Sequence, residues 1–123
     1  MSKRSSAAKF NISRSTDVSD VVVLNLVGSL GMEAVNAWED ALKEAKEQAR
    51  SKIVLDLTNL DYISSAGVGT FVASLAELRK MGGDLVFVNP SEEIQEVFDL
   101  LGFSKMFRIM GTVDEAMKAL KTS

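Results

Sequence analysis

The sequence predicts an α/β fold: a mixed, mostly parallel β-sheet of about five strands with about four helices, in the order β-β-α-β-α-β-α-β-α. Three observations carry this. Short apolar, β-branched runs at 21–27, 52–57 and 84–88 read as buried strands. Between them lie longer stretches whose apolar residues recur every three or four positions, the period of a helix packed on one face. After the first two strands the alternation is strict, and it requires crossover connections that set parallel strands side by side.

The elements follow in order. Residues 1–8 are basic and rich in small residues and are expected to form a tail, with one domain over 9–123. Phe10 and Ile12 alternate with polar neighbours over 9–14, the pattern of a short edge strand. A polar turn at 16–20 leads into the strand at 21–27, which Gly28-Ser29-Leu30-Gly31 ends. A helix over about 32–48 carries Val35, Trp38, Leu42, Ala45 and Ala49 on one stripe. The central strand is 52–57. A second helix runs from Ser65 to about Met81, where Gly82-Gly83 stops it. A strand over 84–88 precedes Asn89-Pro90-Ser91, which caps a helix with Ile94, Val97, Phe98 and Leu101 on its apolar face and Gly102 at its end. A short strand at 105–109, with Met106 and Phe107 as core residues or, in the alternative, an exposed partner patch, leads to a last helix capped by Thr112, with Val113, Ala116, Met117 and Leu120 inward.

Composition narrows the function. The 123 residues suit one domain. The net charge of −3 gives no bulk case for nucleic acid or an acidic membrane. No apolar run approaches the ~20 residues that span a bilayer, and no secretory h-region is present, so a cytoplasmic location without membrane insertion is expected. Cysteine and histidine are both absent. That removes thiolate chemistry, sulfur-ligated metals and the commonest neutral-pH general base. No catalytic residue, cofactor or metal is expected, and the chain is not read as an enzyme.

The most informative stretch is Asp61-Tyr62-Ile63-Ser64-Ser65-Ala66-Gly67-Val68-Gly69. Two hydroxyls and two glycines stand between the central strand and a helix. A serine there can simply be an N-cap, and the glycines can allow close packing of helix on sheet. One cap needs only one serine, however, and two glycines in an early helix cost about 0.8–1 kcal/mol each against alanine. A helix mouth also presents unpaired N–H groups and the positive end of a dipole, which suits an added phosphate. A serine hydrolase is excluded by the missing Gly-x-Ser-x-Gly elbow and the missing histidine. A Walker-type phosphate loop is excluded because no Gly-Lys-Ser/Thr follows. Asp56 and Asp61 flank the loop and read as turn or surface residues more readily than as cation ligands.

From Asp56-Leu57 through Gly69 the chain resembles the signature of STAS domains, and most of all the free-standing bacterial anti-sigma factor antagonists. The similarity extends over about 21–120, through the Gly82-Gly83 stop and Phe98-Asp99-Leu100-Leu101-Gly102-Phe103. The resemblance implies a partner-switching module, released on phosphorylation of Ser65. Its implied partners are an anti-sigma factor that is also a serine kinase of the GHKL ATPase type, and a serine phosphatase. It places partner binding on Ser64, Ser65, Ala66, Gly67, Val68 and Gly69. Ser64 stands where many antagonists have aspartate, and Gly31 where they often carry an acidic residue. The same fold also serves as an unphosphorylated transporter subunit, and partner switches can control effectors other than sigma factors.

Overall fold

Each parallel strand feeds a helix, the first three of which return the chain to the start of the next strand, and this repeated step places every helix N-terminus at one end of the sheet. The computed structural model describes residues 11–14, 21–48 and 50–121. Its elements are β1 (Asn11–Arg14), β2 (Val21–Leu30), a 3₁₀ turn (Met32–Ala34), α1 (Val35–Glu47), β3 (Lys52–Ile63), α2 (Ser65–Lys80), β4 (Asp84–Val88), α3 (Glu92–Leu100), β5 (Arg108–Met110) and α4 (Val113–Lys121). The sheet order is β1-β2-β3-β4-β5. Strands β2 to β5 are parallel, and β1 pairs antiparallel with β2 at the edge. The expected tail at 1–8, the turn at 16–20 and Ala49 of the helix stripe lie outside the described residues, as do Lys9 and Phe10 of the expected edge strand.

The two faces of the sheet are buried unequally. Leu24, Leu26, Leu55, Leu57 and Phe87 meet Trp38, Phe71, Leu75 and Phe98 in the larger core, beneath α1, α2 and α3. Val21, Val23, Val54, Val86 and Val88 meet Ala116 and Leu120 of α4 on the other face. Both faces of each central strand are thus covered near its start, which is why those strands read as continuous apolar runs. An aromatic series crosses the larger core, with ring centroids 5.6 Å apart for Trp38–Phe71, 5.2 Å for Phe71–Phe87 and 4.6 Å for Phe87–Phe107. The Trp38 indole N–H donates to Ser74 Oγ at 2.9 Å, and Ser74 Oγ donates to the Thr70 carbonyl at 2.8 Å. The one polar group of the buried indole is therefore satisfied.

Four boundaries differ from expectation. Strand β2 runs through Gly28 and Ser29 to Leu30 instead of ending at Val27, because its pairing with β3 continues to Ile63. Strand β3 runs to Ile63 rather than ending at Leu57. Its register with β2 shifts twice, between Asn25 and Val27 and between Gly28 and Ser29, and each time β3 contributes an extra residue. Inward positions then fall at Leu57, Leu60 and Ile63, every third residue, which hides the strand from a search for alternation. Asp56 accepts from the Thr58 N–H at 3.0 Å and the Thr58 hydroxyl at 2.6 Å beside the first shift, so it braces the irregular backbone. The first helix opens as a 3₁₀ turn before α1. Strand β5 begins at Arg108; Phe107 is buried as expected, but Met106 lies in the preceding turn and is exposed.

The predicted caps are in place. Ser91 Oγ accepts from the Ile94 N–H at 3.2 Å and Thr112 Oγ1 from the Glu115 N–H at 3.1 Å. Gly82 takes φ +84° after α2, and at Gly83 a Cβ would lie 1.8 Å from the Ser51 carbonyl oxygen, so only glycine fits.

At the opposite end of the sheet, Asp84 ties three segments together. Its carboxylate accepts from Arg108 Nη1 at 2.8 Å, Arg79 Nε at 3.1 Å and the Leu85 N–H at 2.9 Å. Burial alone would raise its pKa, but the bonds from Arg108, Leu85 and Arg79 outweigh it and hold the carboxyl below its ordinary value. On acidification the unfolded chain takes up this proton first. The contribution of Asp84 is thus complete above about pH 4 and fades as pH falls through the lowered native value. Asp84→Asn is expected to cost about 1–3 kcal/mol at neutral pH. It should also flatten the acid limb of stability below about pH 4, as read by urea denaturation across a pH series.

Candidate functional site

The site is assembled on the carbonyl of Leu30, the last residue of β2. That oxygen accepts the Ser64 N–H at 3.0 Å and lies 3.4 Å from the Ser64 hydroxyl, which donates to it. Ser64 has extended backbone (φ −85°, ψ 165°) and is the N-cap of α2, its Oγ accepting from the Gly67 N–H at 3.0 Å. The first helical bond, from the Val68 N–H to the Ser64 carbonyl, spans 3.0 Å. The C-terminal end of one strand thereby fixes the first turn of the helix that follows its neighbour.

Gly67 is the point of closest approach. A Cβ there would lie 2.9 Å from Ile63 Cγ1 and 3.0 Å from the Leu30 carbonyl oxygen. Gly69 faces outward, with nothing within 4 Å of the position its Cβ would take. Only Gly67 therefore answers the expectation that the glycines allow close packing. Among the described residues nothing packs against Gly69, so its helix-weakening effect has no packing return there.

The two serines separate cleanly. Ser64 is half-buried and its hydroxyl is occupied as donor and acceptor. Ser65 is the first residue of α2, is exposed, and takes no part in the cap. Ala66 and Gly69 share the exposed surface with Ser65. Of the six residues expected to bind a partner, Val68 and Gly67 are buried, Val68 completely, and Val68 belongs to the main core. The helical period turns these two inward, so they support the surface without forming it.

Three neighbours were not anticipated. Tyr62 is 54 % exposed and Met32 77 % exposed, and Glu33 is exposed in the turn that follows Leu30. Tyr62 pairs with Ser29 across the β2–β3 ladder, so it stands at the same end of the sheet as Ser65. The available signal was a large apolar residue directly after a strand end, where the helical stripe had not begun. Gly31 lies in the same turn, and a Cβ there would meet nothing within 4 Å. Asp61 is exposed beside the loop, while Asp56 is committed to Thr58. No group of three or more potential ligands for a metal ion occurs among the described residues.

The fold defines the class: a single α/β domain whose second helix is entered through a half-buried capping serine, Ser64, and an exposed one, Ser65. The STAS domain family model matches residues 13–116, and the chain belongs to that family. BtrV of Bordetella bronchiseptica is 29 % identical over 106 residues, covering 86 % of this chain and 91 % of BtrV. The anti-sigma-B factor antagonist of Listeria monocytogenes is 35 % identical over 78 residues, covering 60 % of this chain and 68 % of that protein. Among solved structures, unphosphorylated SpoIIAA superposes with a TM-score of 0.78 at 24 % identity, covering 92 % of this chain and 98 % of SpoIIAA. Phosphorylated SpoIIAA from Bacillus superposes with a TM-score of 0.69, covering 89 % and 98 %. At that identity the superposition establishes the shared fold. No helix among the described residues is long and apolar enough to cross a membrane.

The geometry makes a paired prediction. Gly67→Ala should destabilise by about 1–3 kcal/mol, because the new methyl must displace Ile63 or the Leu30 carbonyl. Gly69→Ala should stabilise by about 0.5–1 kcal/mol through helix propensity. Ser64→Ala should cost about 0.5–2 kcal/mol as a lost cap, with Ser65→Ala close to neutral. Midpoints of urea unfolding, followed by Trp38 fluorescence, check all four.

Proposed function

We propose that this chain is an anti-sigma factor antagonist, a partner-switching module whose docking state is set by phosphorylation of Ser65. The unmodified domain binds an anti-sigma factor that is also its serine kinase, of the GHKL ATPase type. The kinase transfers the terminal phosphoryl group of ATP to Ser65 Oγ, ADP is the leaving group, and the hydroxyl proton passes to a base of the kinase. The complex then separates, and a serine phosphatase hydrolyses the phosphoserine to regenerate the acceptor. The chain contributes surface and acceptor; the chemistry belongs to its partners.

The observation that carries this reading is the division of labour between the serines. Ser64 holds the fold and Ser65 is exposed at the helix entrance. The names of similar proteins support it, since the Listeria relative and a Staphylococcus epidermidis relative are both anti-sigma-B factor antagonists. SpoIIAA, which shares the fold, is known in unphosphorylated and phosphorylated forms. The docking surface is Ser65, Ala66 and Gly69 with the flanking Ser64, Tyr62 and Met32. Its small residues allow close approach.

The energetics suit a local switch. Phosphorylation adds roughly −1.5 to −2 charges at pH 7. The helix N-terminus favours that charge, so the domain keeps its structure. A partner packed against the same spot would instead desolvate an unpaired dianion, which is costly. Each 1.4 kcal/mol of that penalty changes affinity about tenfold.

The test is phosphosite mapping and capture with the cognate kinase. Ser65→Ala is expected to bind the kinase and accept no phosphate, and Ser65→Asp to bind at least about tenfold more weakly, a loss of about 1.4 kcal/mol. Gly69→Ala should weaken capture while raising stability. Phosphate mapping to Ser64, or a Ser65→Asp form that binds as tightly as the wild type, would overturn the proposal.

A further inference from the structure

Leu100 and Leu101 are apolar where the fold does not ask for it. Leu100 is 85 % exposed, more than any other large apolar side chain among the described residues. Leu101, expected on the inner face of α3, is its C-cap and is 40 % exposed. The turn that follows is closed by backbone, with the Gly102 N–H on the Asp99 carbonyl at 3.1 Å and the Phe103 N–H on the Phe98 carbonyl at 2.9 Å, around Gly102 at φ +82°. Its apolar contact is made by Phe103, whose ring stacks on Phe107 with centroids 5.9 Å apart. Polar side chains at 100 and 101 would close this turn equally well. Met81 and Met106, in the turns after α2 and α3, are also exposed. Four of the seven exposed large apolar side chains thus gather at the end of the sheet opposite Ser65, a group rather than the scattered single residues of an ordinary surface.

That end is flush, and its local charge is positive. Val21, Lys52 and Asp84 pair in one row across the starts of β2, β3 and β4. The turns after α2 and α3 meet at Asp84, which accepts from Arg79 at 3.1 Å and Arg108 at 2.8 Å. Residues 79–84 and 99–108 carry Arg79, Lys80, Lys105 and Arg108 against Asp84 and Asp99. Both acids are engaged within the chain, Asp84 by the two arginines and Asp99 by Ser104 Oγ and by Gln95 Nε2 at 3.1 Å. Lys80 and Lys105 are exposed. Lys121 ends α4 nearby, and Glu77 is matched by Lys46 at 2.9 Å. Glu96, four residues before Leu100, is set back about 6 Å along α3. The connection from β1 carries Asp17 and Asp20, but it joins at β2, two strand spacings or about 10 Å from β4, near one Debye length. The net charge of −3 hides this local surplus of cations.

We propose that this end is a peripheral docking face for an anionic lipid surface. Leu100, Leu101, Met81 and Met106 enter the headgroup boundary, and Lys80 and Lys105 meet the lipid phosphates. Charge complementarity fixes the sign of the occupant. Geometry favours a bilayer over a protein groove. Consecutive helical residues project about 100° apart, so Leu100 and Leu101 form no stripe for a groove to read, and the methionines come from separate turns. A fluid interface meets a flush end without matched shape. The 12 residues of β3 separate this face from the Ser65 end, a distance of about 40 Å. The acceptor serine therefore stays open to a kinase while the other end rests on lipid. The docking does not depend on the phosphorylation reading.

Flotation of the full chain with vesicles tests this. Vesicles of phosphatidylcholine and phosphatidylserine in equal parts are expected to carry the protein at low salt, and vesicles of phosphatidylcholine alone at least about tenfold less. Leu100→Gln with Leu101→Gln should lower the partition about tenfold or more. Lys80→Glu with Lys105→Glu should do the same. Each pair should keep the urea midpoint of the wild type, since all four side chains are exposed. Ser65→Asp should float as the wild type does. Absence of binding, equal binding to both vesicles, or binding that survives either pair of substitutions overturns the proposal, survival placing the contact elsewhere on the chain. A dimer that forms without vesicles and is dissolved by the leucine pair would make a second copy the occupant, and also overturns it. Loss of flotation in Ser65→Asp overturns the orientation. Failure of Ser65 to accept phosphate is read separately by phosphosite mapping, and leaves the flotation result standing.

Discussion

One carbonyl organises the functional end of this domain. The Leu30 oxygen receives the Ser64 N–H, lies within reach of the Ser64 hydroxyl, and would sit 3.0 Å from any Cβ placed at Gly67. The end of β2 thus fixes the first turn of α2, although α2 follows β3. Because Ser64 and Gly67 are both committed to that contact, Ser65 between them is held at a defined position without contributing to it. A side chain placed this way can be modified without disturbing the packing beneath.

The parallel topology then converts a local feature into an end of the molecule. Four helices begin beyond the carboxyl ends of four parallel strands, so their N-termini converge, with the side-chain caps of α2, α3 and α4 and the first-turn acids of α3 and α4. The same geometry sends the basic ends of α1, α2 and α4, and the Asp84 cluster that holds Arg79 and Arg108, to the far side. A helix entrance that favours negative charge at Ser65 is one consequence of this arrangement. The helix dipole acts over the first turn, and the carboxylates act over a Debye length of about 8–10 Å.

Much of this was legible in the residues. Element order, the Trp38 stripe, the Ser91 and Thr112 caps and the Gly82 stop all follow from short-range chemistry, and periodicity or turn preference reports such chemistry directly. The second half of β3 was not legible. Its two extra residues replace alternation by a spacing of three, and only pairing with β2 shows that 58–63 is strand. Met106 and the 3₁₀ turn at Met32–Ala34 escaped for a similar reason, because short irregular connections carry no period.

The sequence by itself determined the fold class, the family signature and the pair of serines at a helix entrance, because each is written in neighbouring residues. Which serine caps and which faces solvent was decided by tertiary structure, through a bond to a residue 34 positions away. The same is true of the glycines: Gly67 and Gly69 are chemically identical in the chain, and only the proximity of Leu30 and Ile63 makes one indispensable to packing and leaves the other to the surface. Side chains two residues apart on a helix face different ways, and what each meets depends on strands folded from elsewhere in the chain.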